Sequence, residues 1–321
     1  MNYDIETLIN RFKKNDKMAL ARLISIVENQ PEKAVDIFKY FNGKKHESYI
    51  IGITGSPGVG KSTLTGAIAK NLLEQGKKVG IISVDPTSPF SGGAFLGDRV
   101  RMTDIIVHPN LFLRSLASRT SKGGLSRAVF DIILLYEAFE MDIILIETVG
   151  AGQSEFDIYN LAYTIVVVLV PGYGDAIQMQ KAGIIEIGDI YDINKKDLGG
   201  EDIIVQVEMM LDDSPTQHGW RPPVLMTNSL SGEGVENLIE HIFEHKEHME
   251  QSDLIRKKKS AQINYKIREL FLQELENLID TIISPEEIKN IAEKMNFLKF
   301  QVHEHIRDLF KDIKLSRNDK S

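Results

Sequence analysis

Two hydrophobic periods divide this chain. Through the first 45 residues apolar positions recur three and four apart, as Ile5, Leu8, Ile9 and Phe12 and then Leu20, Leu23, Ile24 and Val27, which predicts short amphipathic helices. Pro31 interrupts that pattern before a third helical stretch at 34–38. From Ser48 the pattern changes to short continuous apolar runs, at 49–53, 79–84, 143–146, 165–170, 187–193 and 224–226, separated by helix-length segments. Runs without polar alternation belong to strands buried on both faces, so a mostly parallel sheet with helices on each side is predicted. The stretch 203–211 reads as an amphipathic helix with Ile204, Val207 and Leu211 inward, and 235–249 as the last helix of this body. Beyond residue 252 the chain becomes long, charged helix, with Ser284-Pro285-Glu286-Glu287 a helix start: cap residue, proline, then acids. The stripe Ile263, Ile267, Leu270, Phe271, Leu275 and Leu278 cannot be buried by that tail alone, and its expected cover is a second copy. Three parts result: a helical extension at 1–46, an α/β body at 47–250 and a helical dimerisation arm at 251–321.

Composition narrows the class. A chain of 321 residues, 42% hydrophobic and 26% charged, has the profile of a globular protein large enough for an extensive core. A net charge of −8 argues against nucleic-acid binding, and Arg256-Lys257-Lys258-Lys259 is a solvated helix face rather than a phosphate-tracking stripe. No cysteine is present, so disulfides and thiolate metal sites are excluded. The start lacks a basic segment followed by an apolar one, and the longest apolar run is too short to cross a bilayer; a cytoplasmic location with no membrane association is expected.

The chemistry concentrates in two motifs. Gly55-Ser56-Pro57-Gly58-Val59-Gly60-Lys61-Ser62-Thr63 lies between the first strand and a helix, as a phosphate loop requires. Its glycines let backbone N–H groups turn toward phosphate oxygens at a helix N-terminus. Lys61 is placed to reach the β- and γ-phosphates, and Ser62 to ligate Mg²⁺. Roughly 130 residues later Asn194-Lys195-Lys196-Asp197 follows another apolar run, at the carboxyl end of a strand where open α/β sheets bind ligands. Guanine offers two adjacent donors that the Asp197 carboxylate can accept as a pair, and adenine does not. The fold expected is therefore a P-loop nucleotide hydrolase, a three-layer sandwich flanked by helical extensions.

Three acids stand where a Mg²⁺-phosphate complex can use them: Asp85 ending the second strand, Asp98 in a glycine-rich loop and Glu147 ending the third. Gly150, just after Glu147, can offer its N–H to the γ-phosphate as a sensor. Two loops suit ordering by nucleotide, 90–102 with its glycines and two arginines, and 171–178 after the fourth strand. Hydrolysis by in-line water attack needs a group to orient the water; only Gln153 and Arg99 are candidates, so a low intrinsic rate is expected.

Across the phosphate loop, Ser83 to Ser88, Gly92 to Met102, Glu147-Thr148-Val149-Gly150-Ala151-Gly152-Gln153-Ser154-Glu155, Pro171 to Asp175 with Gln178, Lys181 and Gly183, and Asn194 to Asp197, the chain resembles a known group. It is the methylmalonyl-CoA mutase-associated GTPases of the MeaB/ArgK type, SIMIBI-class P-loop proteins often named LAO/AO transport ATPases or kinases. The resemblance implies that Asp85, Asp98 and Glu147 join Ser62 around Mg²⁺, that Asn194 and Asp197 hold guanine, and that Asn228-Ser229-Leu230 contact the base through backbone. The family usually has Thr-Ser-Ala where this chain has Thr227-Asn228-Ser229. It also implies a G-protein chaperone that gates adenosylcobalamin delivery to, and protects, a cobalamin-dependent acyl-CoA mutase, with GTP or GDP as ligand and no tightly bound cobalamin on this chain.

Two other readings stand beside it. A metal-insertion GTPase shares both motifs, and His241, His245 and His248 with Glu244 line one side of the 235–249 helix as candidate Zn²⁺ or Ni²⁺ ligands. A kinase or transport ATPase requires adenine tolerance, which Asp197 opposes.

Overall fold

The computed structural model describes residues 4–43, 46–86, 102, 104–118, 124–148, 154–172, 185–213 and 219–282, with single positions 286, 289 and 293. It divides into two compact units, residues 1–266 and 267–321.

The helical prefix forms as its spacing predicts: α1 (Ile5–Phe12), α2 (Lys17–Asn29) and α3 (Ala34–Phe38). The Asp4 carboxylate accepts from Thr7 N at the start of α1, and Asp16 accepts from Met18 N and Ala19 N at the start of α2, so both first turns are capped. Leu8, Ile9, Phe12, Leu20, Leu23, Ile24 and Val27 are all buried.

The body is a parallel sheet of seven strands among the described residues: β1 (Tyr49–Thr54), β2 (Val79–Pro86), β3 (Leu111–Ser118), β4 (Ile143–Glu147), β5 (Thr164–Leu169), β6 (Ile190–Ile193) and β7 (Val224–Met226). Their order is β3-β2-β4-β1-β5-β6-β7. β1 is central, with Ile53 opposite Glu147 on β4 and Ile51 opposite Thr164 on β5. Helices α4 (Lys61–Glu74) and α8 (Val235–Gln251) pack together against the sheet, as do α5 (Gly124–Ala138) and α6 (Ser154–Leu161), which makes three layers. Helix α7 (Glu201–Asp212) lies against β7 with Val207 and Leu211 buried and Ile204 half-buried, close to the predicted inward face.

Two expectations are corrected. The hydrophobic pattern gave no strand at 111–118, because Arg114 and Ser115 break its apolar run. It is an edge strand covered by the prefix: Arg114 pairs with Glu28 on α2, and the Lys17 ammonium donates to His108 O at 2.8 Å and Leu111 O at 2.6 Å. An edge protected by another element tolerates polar residues that a central strand does not. The run expected as a strand from Ile187 pairs only from Ile190; residues Ile185–Ile187 form a 3₁₀ turn.

The last helix, α9, spans Leu254–Ile282. Its first turns are tied to the body by Gln262, which donates to Leu161 O at 2.6 Å, and by Lys266 with Asp131 of α5 at 2.8 Å, both side chains nearly buried. Removing one member of a buried ion pair takes away the counter-charge of the other. Lys266→Met is expected to destabilise the fold by about 3 kcal/mol in urea unfolding, whereas Asp131→Asn combined with it should recover part of the loss. Farther along, Ile267, Leu270, Phe271, Leu275 and Leu278 are 37–67% exposed. Ser284, Pro285 and Glu287 lie outside the described residues.

Candidate functional site

The carboxyl ends of β1, β4, β6 and β7 converge on one edge of the sheet. The loop 55–60 leaves β1 and returns as α4, with Gly60 preceding the helix at φ +100°. Two of its glycines are fixed by what surrounds them. At Gly55, φ +147°, an added Cβ would stand 2.3 Å from Val168 O of β5; at Gly60 it would stand 2.4 Å from Asn194 Nδ2. Gly60→Ala therefore combines left-handed strain of about 1–2 kcal/mol with displacement of Asn194. At least a tenfold loss of affinity for a fluorescent GDP (mant-GDP) is expected in direct titration, with the melting temperature lowered by only a few degrees.

Lys61 and Ser62 open α4 and are buried. The Lys61 ammonium donates to Gly55 O at 2.8 Å and Ser56 O at 3.0 Å, so it arches back across the loop. Ser62 Oγ donates to Glu147 Oε1 at 2.5 Å, joining the helix start to the end of β4. Glu147 is 4% exposed, and beside it Thr148 Oγ1 donates to Thr54 Oγ1 at 3.1 Å. A hydroxyl and a carboxylate, both hard oxygen donors, meet beside the phosphate loop, a set that fits Mg²⁺ and not a soft metal. The Asp85 side chain, Asp98 and Gly150 lie outside the described residues, as do Arg99 and Gln153.

The segment Asn194-Lys195-Lys196-Asp197 packs directly against the phosphate loop. Asn194, 1% exposed, donates from Nδ2 to Val59 O at 2.9 Å, and its Oδ1 accepts from Ser229 N at 3.1 Å. Lys195 holds a left-handed backbone, φ +59°, and donates to Gly58 O at 3.0 Å. A non-glycine residue in that region is strained, and here the strain aims the lysine at the loop. Asp197 is exposed toward the open edge, where Oδ1 accepts from Asn228 Nδ2 at 2.8 Å. Leu230 N donates to Asn228 Oδ1 at 3.1 Å, so this amide, like that of Ser229, is engaged within the loop.

Spacing alone missed the support beneath Asn194. Asp192 and Thr227 are both fully buried, and Thr227 Oγ1 donates to Asp192 Oδ2 at 2.9 Å. The signal was present in the chain as one charged residue inside the apolar run of β6.

The three histidines of α8 do not converge. His245 is buried, its Nδ1 2.8 Å from Thr164 Oγ1 and its Nε2 3.5 Å from Asp189 Oδ1, and burial pulls its pKa down to about 4. His241 Nδ1 bonds Asn237 O of its own helix at 2.9 Å, and His248 lies 5.4 Å from the Trp220 ring. Among the described residues no three potential metal ligands gather. Nor is any described helix long and apolar enough to cross a membrane.

The family model for methylmalonyl Co-A mutase-associated GTPase MeaB matches residues 20–283. A protein of Pyrococcus abyssi named as a GTPase is 42% identical over 296 residues, covering 91% of each chain. The GTPase ArgK of Escherichia coli is 31% identical over 251 residues, 74% of this chain and 75% of that one. A mitochondrial methylmalonic aciduria type A homolog of Caenorhabditis elegans is 31% identical over 261 residues, 75% of this chain and 65% of that one. The crystal structure of an LAO/AO transport system kinase superposes with a TM-score of 0.70 over 97% of both chains at 22% identity, which shows a shared fold. With the phosphate loop, the guanine motif and the acid at the end of β4 on one sheet edge, and the family model spanning most of the sequence, the chain is a GTPase and belongs to the MeaB family of methylmalonyl Co-A mutase-associated GTPases.

Proposed function

We propose that the protein is a Mg²⁺-dependent GTPase of low intrinsic rate whose nucleotide state governs its docking on a cobalamin-dependent acyl-CoA mutase, gating adenosylcobalamin delivery and protecting that enzyme. The observation that carries this reading is the direct bracing of the phosphate loop by the guanine motif, Asn194 on Val59 and Lys195 on Gly58, which ties base recognition to phosphate geometry. The mutase partner is supported by the family match and by the name of the nematode relative.

In this reading the loop amides of 55–63 bind the phosphates, Asp197 accepts the guanine donors, and the backbone of Asn228, Ser229 and Leu230 flanks the base. Ser62 and Glu147, with Asp85 and Asp98, would hold Mg²⁺, which would supply positive charge to the phosphate oxygens. Lys61 stabilises charge on the transferred phosphoryl group, and the Gly150 amide reads the γ-phosphate. Ser62 Oγ now donates to Glu147 Oε1; with Mg²⁺ bound the hydroxyl would keep its proton and offer a lone pair to the cation, so the contact that joins the helix start to β4 is the one that metal binding would rearrange. The extension at 1–46 caps the edge of the body at 47–250, and the arm at 251–321 pairs two copies through its exposed stripe, giving a homodimer in the cytoplasm.

The test is single-turnover GTP hydrolysis by the protein alone and titrated with a cobalamin-dependent acyl-CoA mutase. A saturable acceleration of at least about tenfold is expected, in the direction by which partner proteins complete GTPase sites. An unchanged rate at saturating mutase, with GTP still preferred over ATP, would sink the mutase assignment and leave the GTPase.

A further inference from the structure

Asp192 is a carboxylate inside the sheet, two residues before Asn194, with its ladder neighbours Val168 on β5 and Leu225 on β7 both apolar. It is completely buried, and Oδ1 has no hydrogen-bond partner among the described residues. Oδ2 faces the Thr227 hydroxyl at 2.9 Å, and the same hydroxyl lies 3.4 Å from Asn194 Oδ1. Thr227 has one proton to give and two oxygens to give it to.

We propose that Asp192 and Thr227 are positioning residues for the guanine motif: the proton state of Asp192 decides whether Thr227 donates to Asp192 or to Asn194, and so how firmly Asn194 holds the phosphate loop. With Asp192 ionised, Thr227 donates to Oδ2, and Asn194 Oδ1 keeps only the Ser229 amide. With Asp192 protonated, its proton sits on Oδ2, because Oδ1 faces no acceptor among the described residues; it then donates to Thr227 Oγ1, and the Thr227 hydroxyl turns to Asn194. Asn194 then accepts two hydrogen bonds while its amide holds Val59 O. The relay moves only protons along existing contacts, and the proton lost by Asp192 goes to solvent.

Burial pushes Asp192 up to about 7, with the Thr227 hydroxyl opposing; no charged side chain among the described residues acts on it. The switch is therefore centred where the carboxylate changes state near neutral pH. Because the protonated form braces the loop, nucleotide affinity is highest below that value and falls as pH rises through it.

The inference rests on Asn194 belonging to the guanine site. The dissociation constant of mant-GDP is measured from pH 5.5 to 8.5 for the wild type, Asp192→Asn and Thr227→Val, each with a melting curve to confirm folding. Relative to Asp192→Asn, which shares the titration of the nucleotide's own phosphate, wild-type affinity is expected to fall about fivefold as pH rises, the worth of one neutral hydrogen bond. Asp192→Asn can donate from its amide to Thr227 at every pH and should keep the tight, acid-side affinity throughout. Thr227→Val lacks the hydroxyl and should stay at the weak level with no step near pH 7. Parallel profiles for wild type and Asp192→Asn, or a Thr227→Val that steps as wild type does, overturn the relay. Failure of all three folded proteins to bind mant-GDP overturns the guanine-site reading and the relay with it.

Discussion

Lys61→Ala is expected to lower single-turnover GTP hydrolysis by at least ~100-fold, the scale on which loss of one preorganised charge or donor is felt in a transition state. The Lys61 side chain is almost fully buried at the first position of α4, and its ammonium is held over the loop by two carbonyls, Gly55 O and Ser56 O. In the proposed reaction those carbonyls keep a cation where the γ-phosphate oxygens would gain charge, so that little reorganisation would be needed. Alanine removes the charge and leaves both carbonyls without that donor, so binding of GTP should weaken as well, by less than the chemical step. Comparing the rate at saturating GTP with mant-GDP affinity separates the two effects. A rate within about threefold of wild type would remove Lys61 from catalysis.

Asp197→Asn is expected to weaken GDP binding by roughly two to three orders of magnitude, since two hydrogen bonds to a charged acceptor are each worth about 1.5–3 kcal/mol and the new amide meets a donor with a donor. The same variant should gain affinity for xanthosine diphosphate, whose second carbonyl stands where guanine carries its amine and can accept from the asparagine. That reversal distinguishes a lost recognition group from a damaged fold. Asn228 bears on the size of the effect, because its amide already donates to Asp197 Oδ1 and holds the carboxylate in place. If Asp197→Asn bound both nucleotides as wild type does, base recognition would lie elsewhere on this edge.

Much of the architecture could be read from local pattern. Apolar runs such as 143–146 and 165–170 are buried on both faces in β4 and β5, and nothing but a strand satisfies such a run between helices. The missed strand β3 fails that rule for a physical reason: at an edge, Arg114 can point to Glu28 of the prefix, and its polarity is paid for by an ion pair that is remote in sequence. The start of β6 was misplaced because Ile187 is apolar whether it pairs in a ladder or packs as a turn.

The site divides in the same way. A phosphate loop and a candidate guanine motif were legible in the chain alone, because each is a short segment whose residue types and spacing are dictated by the ligand it would meet. The chain also pointed to Ser62, Asp85, Asp98 and Glu147 as oxygen donors for a hard cation. Only the tertiary structure decided that Asn194 and Lys195 reach across to Val59 and Gly58, and that Asp192 lies beneath them with Thr227 as its partner. It also turned His245 into the core toward Thr164. These contacts join residues 35 to 137 positions apart along the chain. No local period encodes such distances; they exist because the parallel sheet brings the carboxyl ends of β1, β6 and β7 to one edge, where buried polar groups must find partners or pay the cost of desolvation.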